Sequence, residues 1–142
     1  MFTGEYRHSM DAKGRVAIPS RFRGDLRGGA FVSRWIDLCL GVFPRDAWDA
    51  LATKVAELPV TDASARTFSR FLFASAYEVE LDGQGRVVVP GSLREWAGLD
   101  QEVVVVGARD HIELWSPDRW ADYSAGMTSP DVLAEHLQGL GI

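Results

Sequence analysis

One pattern occurs twice in this chain, and it constrains the fold more than length or composition does. Asp11, Gly14, Arg15, Val16, Ile18, Pro19 and Arg23 return at the same spacing as Asp82, Gly85, Arg86, Val87, Val89, Pro90 and Arg94. The shared motif is D-x-x-G-R-V-x-[IV]-P-x-x-x-R, with six identical positions among its thirteen. The same offset sets Tyr6 against Tyr77 and Met10 against Leu81. A tandem duplication therefore organises the chain. Each unit is about 45 residues, too small to enclose much of a core alone. The two copies are expected to share one core, or to complete one another.

The repeat has a readable local structure. Tyr77 to Leu81 alternates apolar and polar residues, as a half-buried strand does. Asp-x-x-Gly is a turn, since Asp can accept the amides just ahead of it and Gly tolerates a positive φ. Val16–Ile18 and Val87–Val89 read as β-rich strand segments ended by proline. Pro19 and Pro90 suit the start of short helices over Ser20–Arg23 and Gly91–Ala97, with Gly98 as a stop. Strands are expected at Ala30–Arg34, Leu38–Phe43, Glu102–Val106 and Ile112–Trp115. Helical periodicity fills Asp46–Leu58 and Asp62–Ala76 between the copies, and a further helix starts at Ser129-Pro130. The fold class that follows is mainly β with helices (α+β): a small β-barrel built from both repeats, with helices packed outside it.

Composition excludes several classes. A hydrophobic fraction of 46% is too high for a disordered tail protein. No apolar run approaches the roughly 18 residues of a membrane span, and Met1 to His8 lacks the apolar stretch of a signal peptide. A single cysteine, Cys39, allows no internal disulfide, and His8, His111 and His136 lack zinc spacing. A cytoplasmic protein without metal or cofactor is expected. The net charge of −5 argues against indiscriminate nucleic-acid binding, but the charge is unevenly spread. Residues 1–45 hold eight basic side chains against four acidic ones, while the acidic excess lies beyond them. An anionic partner for one end of the molecule would explain this, as would ordinary surface charge.

Enzymatic signatures are absent: there is no G-x-S-x-G, no phosphate-binding G-x-x-x-x-G-K-[ST] and no H-E-x-x-H. No catalytic residue is assigned. Asp11 and Asp82 could form a carboxylate pair, but the plainer reading has each capping its own turn or holding its own arginine. Gly14 and Gly85 are likewise turn residues. The arginines carry more. Arg15 and Arg86 follow the turn glycine directly, and Arg23 and Arg94 are also shared between copies. Arg7, Lys13 and Arg21 are basic in the first copy only, where the second has Glu78, Gln84 and Ser92. Shared Asp–Arg pairs read as architecture and the surplus charge reads as a binding face, suited to phosphates and guanine edges.

The doubled motif, the opening Met1-Phe2-Thr3-Gly4-Glu5-Tyr6 and the length near 140 resemble the MraZ family, bacterial transcriptional regulators with tandem SpoVT-AbrB-like domains. The resemblance spans residues 1–125. It implies a swapped-hairpin β-barrel made by two interleaved halves. It also implies binding to double-stranded DNA at direct repeats in the promoter region of the cell-division and cell-wall gene cluster, a ring-shaped homo-oligomer, and association with the nucleoid. The family's D-x-x-x-R motif falls on Asp11 and Arg15, and on Asp82 and Arg86. With Arg7, Lys13, Arg21 and Arg23 these arginines form the expected DNA-binding set. No membrane or small-molecule ligand is implied. An AbrB-like antitoxin or protein-interaction scaffold is the alternative, with Leu133, Leu137 and Leu140 as its candidate contact stripe. The expected divisions are residues 5–48 for the first repeat, 49–75 for a helical linker, 76–120 for the second repeat and 121–142 for a C-terminal helical tail.

Overall fold

The two copies exchange strands. A computed structural model describes residues 1–142. In the first copy, β1 (Glu5–Ser9), β2 (Arg15–Ala17), α1 (Ser20–Leu26), β3 (Ala30–Arg34) and β4 (Leu40–Pro44) follow in order. Helices α2 (Arg45–Ala56) and α3 (Ala63–Phe73) link to β5 (Tyr77–Val79), β6 (Arg86–Val88), α4 (Gly91–Ala97), β7 (Glu102–Gly107) and β8 (Ile112–Trp115). Two more helices, α5 (Pro117–Met127) and α6 (Pro130–Leu137), end the chain. The large sheet is antiparallel and runs β1-β7-β8-β4-β3-β5. Thus the first strand of each copy lies against the third strand of the other, and β4 meets β8 at the centre. β2 and β6 pair with each other in a separate two-stranded ribbon.

This exchange answers the size problem. Val16, Ile18, Phe22 and Leu26 from one copy and Val87, Val89, Leu93 and Ala97 from the other enter a single core, beneath Val32, Val42, Val103, Val105, Ile112 and Leu114 of the sheet. Neither copy could bury these side chains alone, and each of the larger ones contributes about 1.5–3 kcal/mol when removed from water. The opposite face of the sheet is covered by helices. Val104 and Trp115 meet Trp120 of α5, while Phe43 meets Trp48 and Val55 of α2 and Leu72 of α3. The α+β class forms with an antiparallel sheet, but six helices hold more of the chain than the eight short strands do, so the fold is mixed rather than mainly β. Hydrogen bonding leaves the large sheet open, with β1 and β5 as its ends. The ribbon strands are only three residues long and run into Pro19 and Pro90, which have no N–H to extend a ladder.

Element limits differ from the sequence reading where tertiary contacts intervene. α1 continues to Leu26 rather than Arg23, because Phe22 and Leu26 lie one turn apart and both are buried. β4 starts at Leu40 rather than Leu38, since Asp37 and Leu38 adopt positive φ and form the turn from β3. In α3 the side chain of Asp62 accepts the Ser64 amide and sets the helix start at Ala63.

Candidate nucleic-acid interface

The repeated motif folds twice into the same hairpin turn. Asp11 Oδ1 accepts the backbone amides of Lys13 at 3.0 Å and Arg15 at 2.9 Å, and Oδ2 accepts Arg15 Nε at 2.6 Å. In the second copy Asp82 Oδ1 accepts the amides of Gln84 at 2.8 Å and Arg86 at 2.9 Å, and Oδ2 accepts Arg86 Nε at 2.8 Å. The backbone amide of Arg15, donating to ionised Asp11, is the chief reason that carboxyl titrates below the usual carboxylate range. The Arg86 amide does the same to Asp82. Both acids therefore accept the amides of their turns and hold the Nε of the following arginine. With Nε occupied, the two terminal nitrogens of each guanidinium make no hydrogen bond within the protein.

The ribbon then places both arginines on one face. Its register pairs Arg15 with Val88, Val16 with Val87, and Ala17 with Arg86. Val16 and Val87 point into the core and are fully or nearly fully buried. Arg15, Ala17, Arg86 and Val88 consequently form the outward surface. The two Asp–Arg pairs are close enough to communicate: Arg86 Nη1 lies 3.9 Å from Asp11 Oδ2. Sequence spacing alone gave no sign that residues so far apart in the chain share one patch.

Under this ribbon the copies brace each other. Ile18 donates its amide to Gly85 O at 3.0 Å, and Val89 donates its amide to Gly14 O at 2.8 Å. Arg23 lies against the turn at Gly85 and Arg94 against the turn at Gly14, so that a Cβ at either glycine would come within 3 Å of the arginine. Both glycines have positive φ, 82° and 74°, which is a second reason for their identity. Arg23 Nε also donates to Ile18 O at 2.8 Å, and Arg94 Nε to Val89 O at 3.1 Å. Arg23 is thus held beneath the opposite copy's turn. Arg94, which the sequence reading did not place in the binding set, is its counterpart, and equivalence within the repeat was the signal.

The remaining basic residues separate. Lys13 is exposed at the tip of its turn, beside the ribbon. Arg21 is exposed on α1, where Nη1 donates to the Tyr6 hydroxyl at 2.7 Å, and Tyr6 stands edge-on to Phe22. Arg7 points elsewhere. It opposes Val104 across β1 and β7, and Val104 belongs to the sheet face covered by Trp115 and Trp120. The neighbouring His8 turns inward, where burial and then the charge of Arg23 lower its pKa. The structure brings Arg15 and Arg86 onto one ribbon face, leaves Lys13 exposed in the turn before Arg15, keeps Arg21 at α1, recesses Arg23 and sets Arg7 on the opposite face.

These features define a class: a tandem-repeat α+β protein whose halves exchange their leading hairpins and present twin Asp–Arg turns on one ribbon. The family model "MraZ protein, putative antitoxin-like" matches twice, over residues 1–71 and 72–136. A protein of Halothermothrix orenii named Transcriptional regulator MraZ is 46% identical over 143 residues, covering all of both chains. Proteins of the same name from Moorella thermoacetica and Thermomicrobium roseum are 50% and 49% identical. They cover 87% and 85% of this chain, and 86% and 85% of their own lengths. The chain belongs to the MraZ family.

Proposed function

We propose that this protein is a DNA-binding transcriptional regulator that lays the β2–β6 ribbon into the major groove. The observation that carries the reading is the convergence of Arg15 and Arg86, one from each copy, on the outward face of one exposed two-stranded ribbon. The major groove admits an element of that width, and an arginine held at Nε can offer its two terminal nitrogens to guanine O6 and N7. Lys13 at the turn tip supplies a phosphate contact, and Arg21 a further one from α1. Arg23 acts from below, keeping the Gly85 turn in place. The shared core between the sheet and the ribbon supports reading the fold as a barrel of the swapped-hairpin kind, with the ribbon as its free wall. The naming of the relatives as transcriptional regulators supports the regulatory part of the reading, and the promoter region upstream of the cell-division and cell-wall genes is its proposed target. One protomer presents few basic side chains, so binding is proposed to occur through a homo-oligomer, a ring, acting on repeated DNA elements.

An electrophoretic shift with the DNA upstream of the protein's own gene, under excess non-specific competitor, tests this. Arg15→Ala and Arg86→Ala should each cost about 1–3 kcal/mol and relax sequence preference at one position. Lys13→Ala should weaken binding to all sequences alike and lower the salt slope by about one. Full affinity in a folded Arg15→Ala/Arg86→Ala double variant would overturn the ribbon as the contact surface.

A further inference from the structure

One side chain on the ribbon is left unexplained by either the core or the arginine pair. Val88 is 53% exposed, in contrast to Val87 and Val89 on either side, which are buried. It belongs to none of the three apolar clusters of the protein. A preference for β-branched residues in strands accounts for a valine in part, but solvent-facing strand positions accept threonine equally well. What distinguishes this position is its surroundings. Val88 stands directly across from Arg15, and Ala17 directly across from Arg86. The outward face is therefore a checkerboard in which each arginine is paired with one apolar side chain.

We infer that Val88 is a specificity-determining residue that reads the 5-methyl group of a thymine next to the base taken by Arg15. This rests on the proposed docking of the ribbon in the major groove. In that groove thymine alone presents a methyl group, and apolar side chains are its natural contact. Directly opposed residues on an antiparallel pair have Cβ atoms about 4.5–5.5 Å apart. That is between one and two base steps of about 3.4 Å. Arg15 and Val88 can therefore address neighbouring base pairs at once, one through hydrogen bonds and the other through apolar contact. The pseudo-equivalent position in the first copy carries only Ala17, whose single methyl reaches less far. Arg15 with Ala17 and Arg86 with Val88 are thus alike in charge and unlike in apolar reach. This difference gives a nearly two-fold ribbon a preferred direction along the duplex.

The test uses the full chain and the bound upstream DNA, with thymines replaced one at a time by uracil, which removes only the 5-methyl group. Wild-type protein should lose about fourfold in affinity at one thymine, the effect of one buried methyl-sized group. Val88→Ala should bind the unmodified DNA more weakly by a similar factor and be indifferent to uracil at that same position. Ala17→Gly, with circular dichroism to verify folding, should leave the uracil effect at that position intact. The inference fails if no uracil replacement affects the wild type, or if Val88→Ala remains sensitive at the same thymine. Either result, with Arg15→Ala and Arg86→Ala still losing affinity, would leave the ribbon reading standing. Unchanged binding in those arginine variants would instead remove the ribbon reading itself.

Discussion

Asp11 carries three jobs with two oxygens. Oδ1 holds the turn amides, Oδ2 holds Arg15 Nε, and the same Oδ2 faces Arg86 from the other copy. These roles separate on substitution. Asp11→Asn keeps an acceptor for the two amides but places an NH2 group against two guanidinium ions. DNA affinity should therefore fall by about tenfold or more, while the melting temperature changes little; fluorescence anisotropy and thermal unfolding on the same preparation measure the two. A large drop in melting temperature with unchanged binding per folded molecule would make Asp11 purely structural. The carboxyl's lowered pKa also fixes the sign of its pH dependence. Its contribution is present above the ordinary carboxylate range and is lost only as pH falls through the depressed folded value.

At the scale of elements, the β7–β8 hairpin is held by a group outside the proposed binding surface. His111 is buried, with Nδ1 2.7 Å from Asp110 Oδ1 and Nε2 3.2 Å from Glu113 Oε2. Its ring stacks on Phe43 at 4.5 Å, and Glu113 Oε1 also accepts Trp115 Nε1 at 3.0 Å. Burial opposes the charged imidazole, but the two carboxylates outweigh it and raise the pKa above 6.5. Lys54 and Asp46 line the adjoining cleft and complete the charged surroundings. A raised folded pKa means the pairing stabilises fully below the unfolded value of 6.5 and fades as pH rises through the folded value. Urea unfolding should accordingly show stability declining from pH 6 toward pH 9. In His111→Gln that slope should flatten, at a cost of about 1–3 kcal/mol at pH 6 from the lost charge-assisted bonds. An unaltered slope would place the titrating group elsewhere.

At the scale of the whole molecule, a net charge of −5 must be reconciled with a polyanionic partner. A handful of basic side chains at the ribbon supports only weak contact, on the order of 10⁻⁴–10⁻⁶ M for non-specific binding at physiological salt. Linking several ribbons in one assembly makes later contacts intramolecular, raising avidity by roughly 10²–10⁴. Light scattering should therefore find an assembly, and affinity should climb steeply for DNA carrying one, two and three copies of the target element. A monomer that binds one copy as tightly as three would exclude this mechanism. Trp120 itself is buried beside Trp115. Exposed apolar side chains lie at Phe73 of α3, at Tyr123 beside Trp120, and farther on at Leu133, Leu137 and Leu140, in and just past the one helix with no buried side chain.

Much of this protein is local, and what is local can be read from the chain. The Asp-x-x-Gly turn, the strand ended by proline and the helix start after it depend on contacts within a few residues, so both copies were recognisable from spacing alone. The Asp–Arg pairing was legible for the same reason, since Asp11 and Arg15 lie four residues apart. Which copy meets which was not. Nothing in the sequence says that β1 pairs with β7 rather than with a strand of its own copy, or that Arg23 supports Gly85 rather than the turn beside it. Arg7 shows the limit clearly: it stands among basic neighbours in sequence, but strand alternation sends it to the helix-covered face once β1 is paired with β7. Side-chain chemistry and short-range backbone preference belong to the sequence. The meeting of Arg15 and Arg86 on one ribbon belongs to the tertiary structure, because it is the exchange of hairpins around one shared core that sets the two turns side by side.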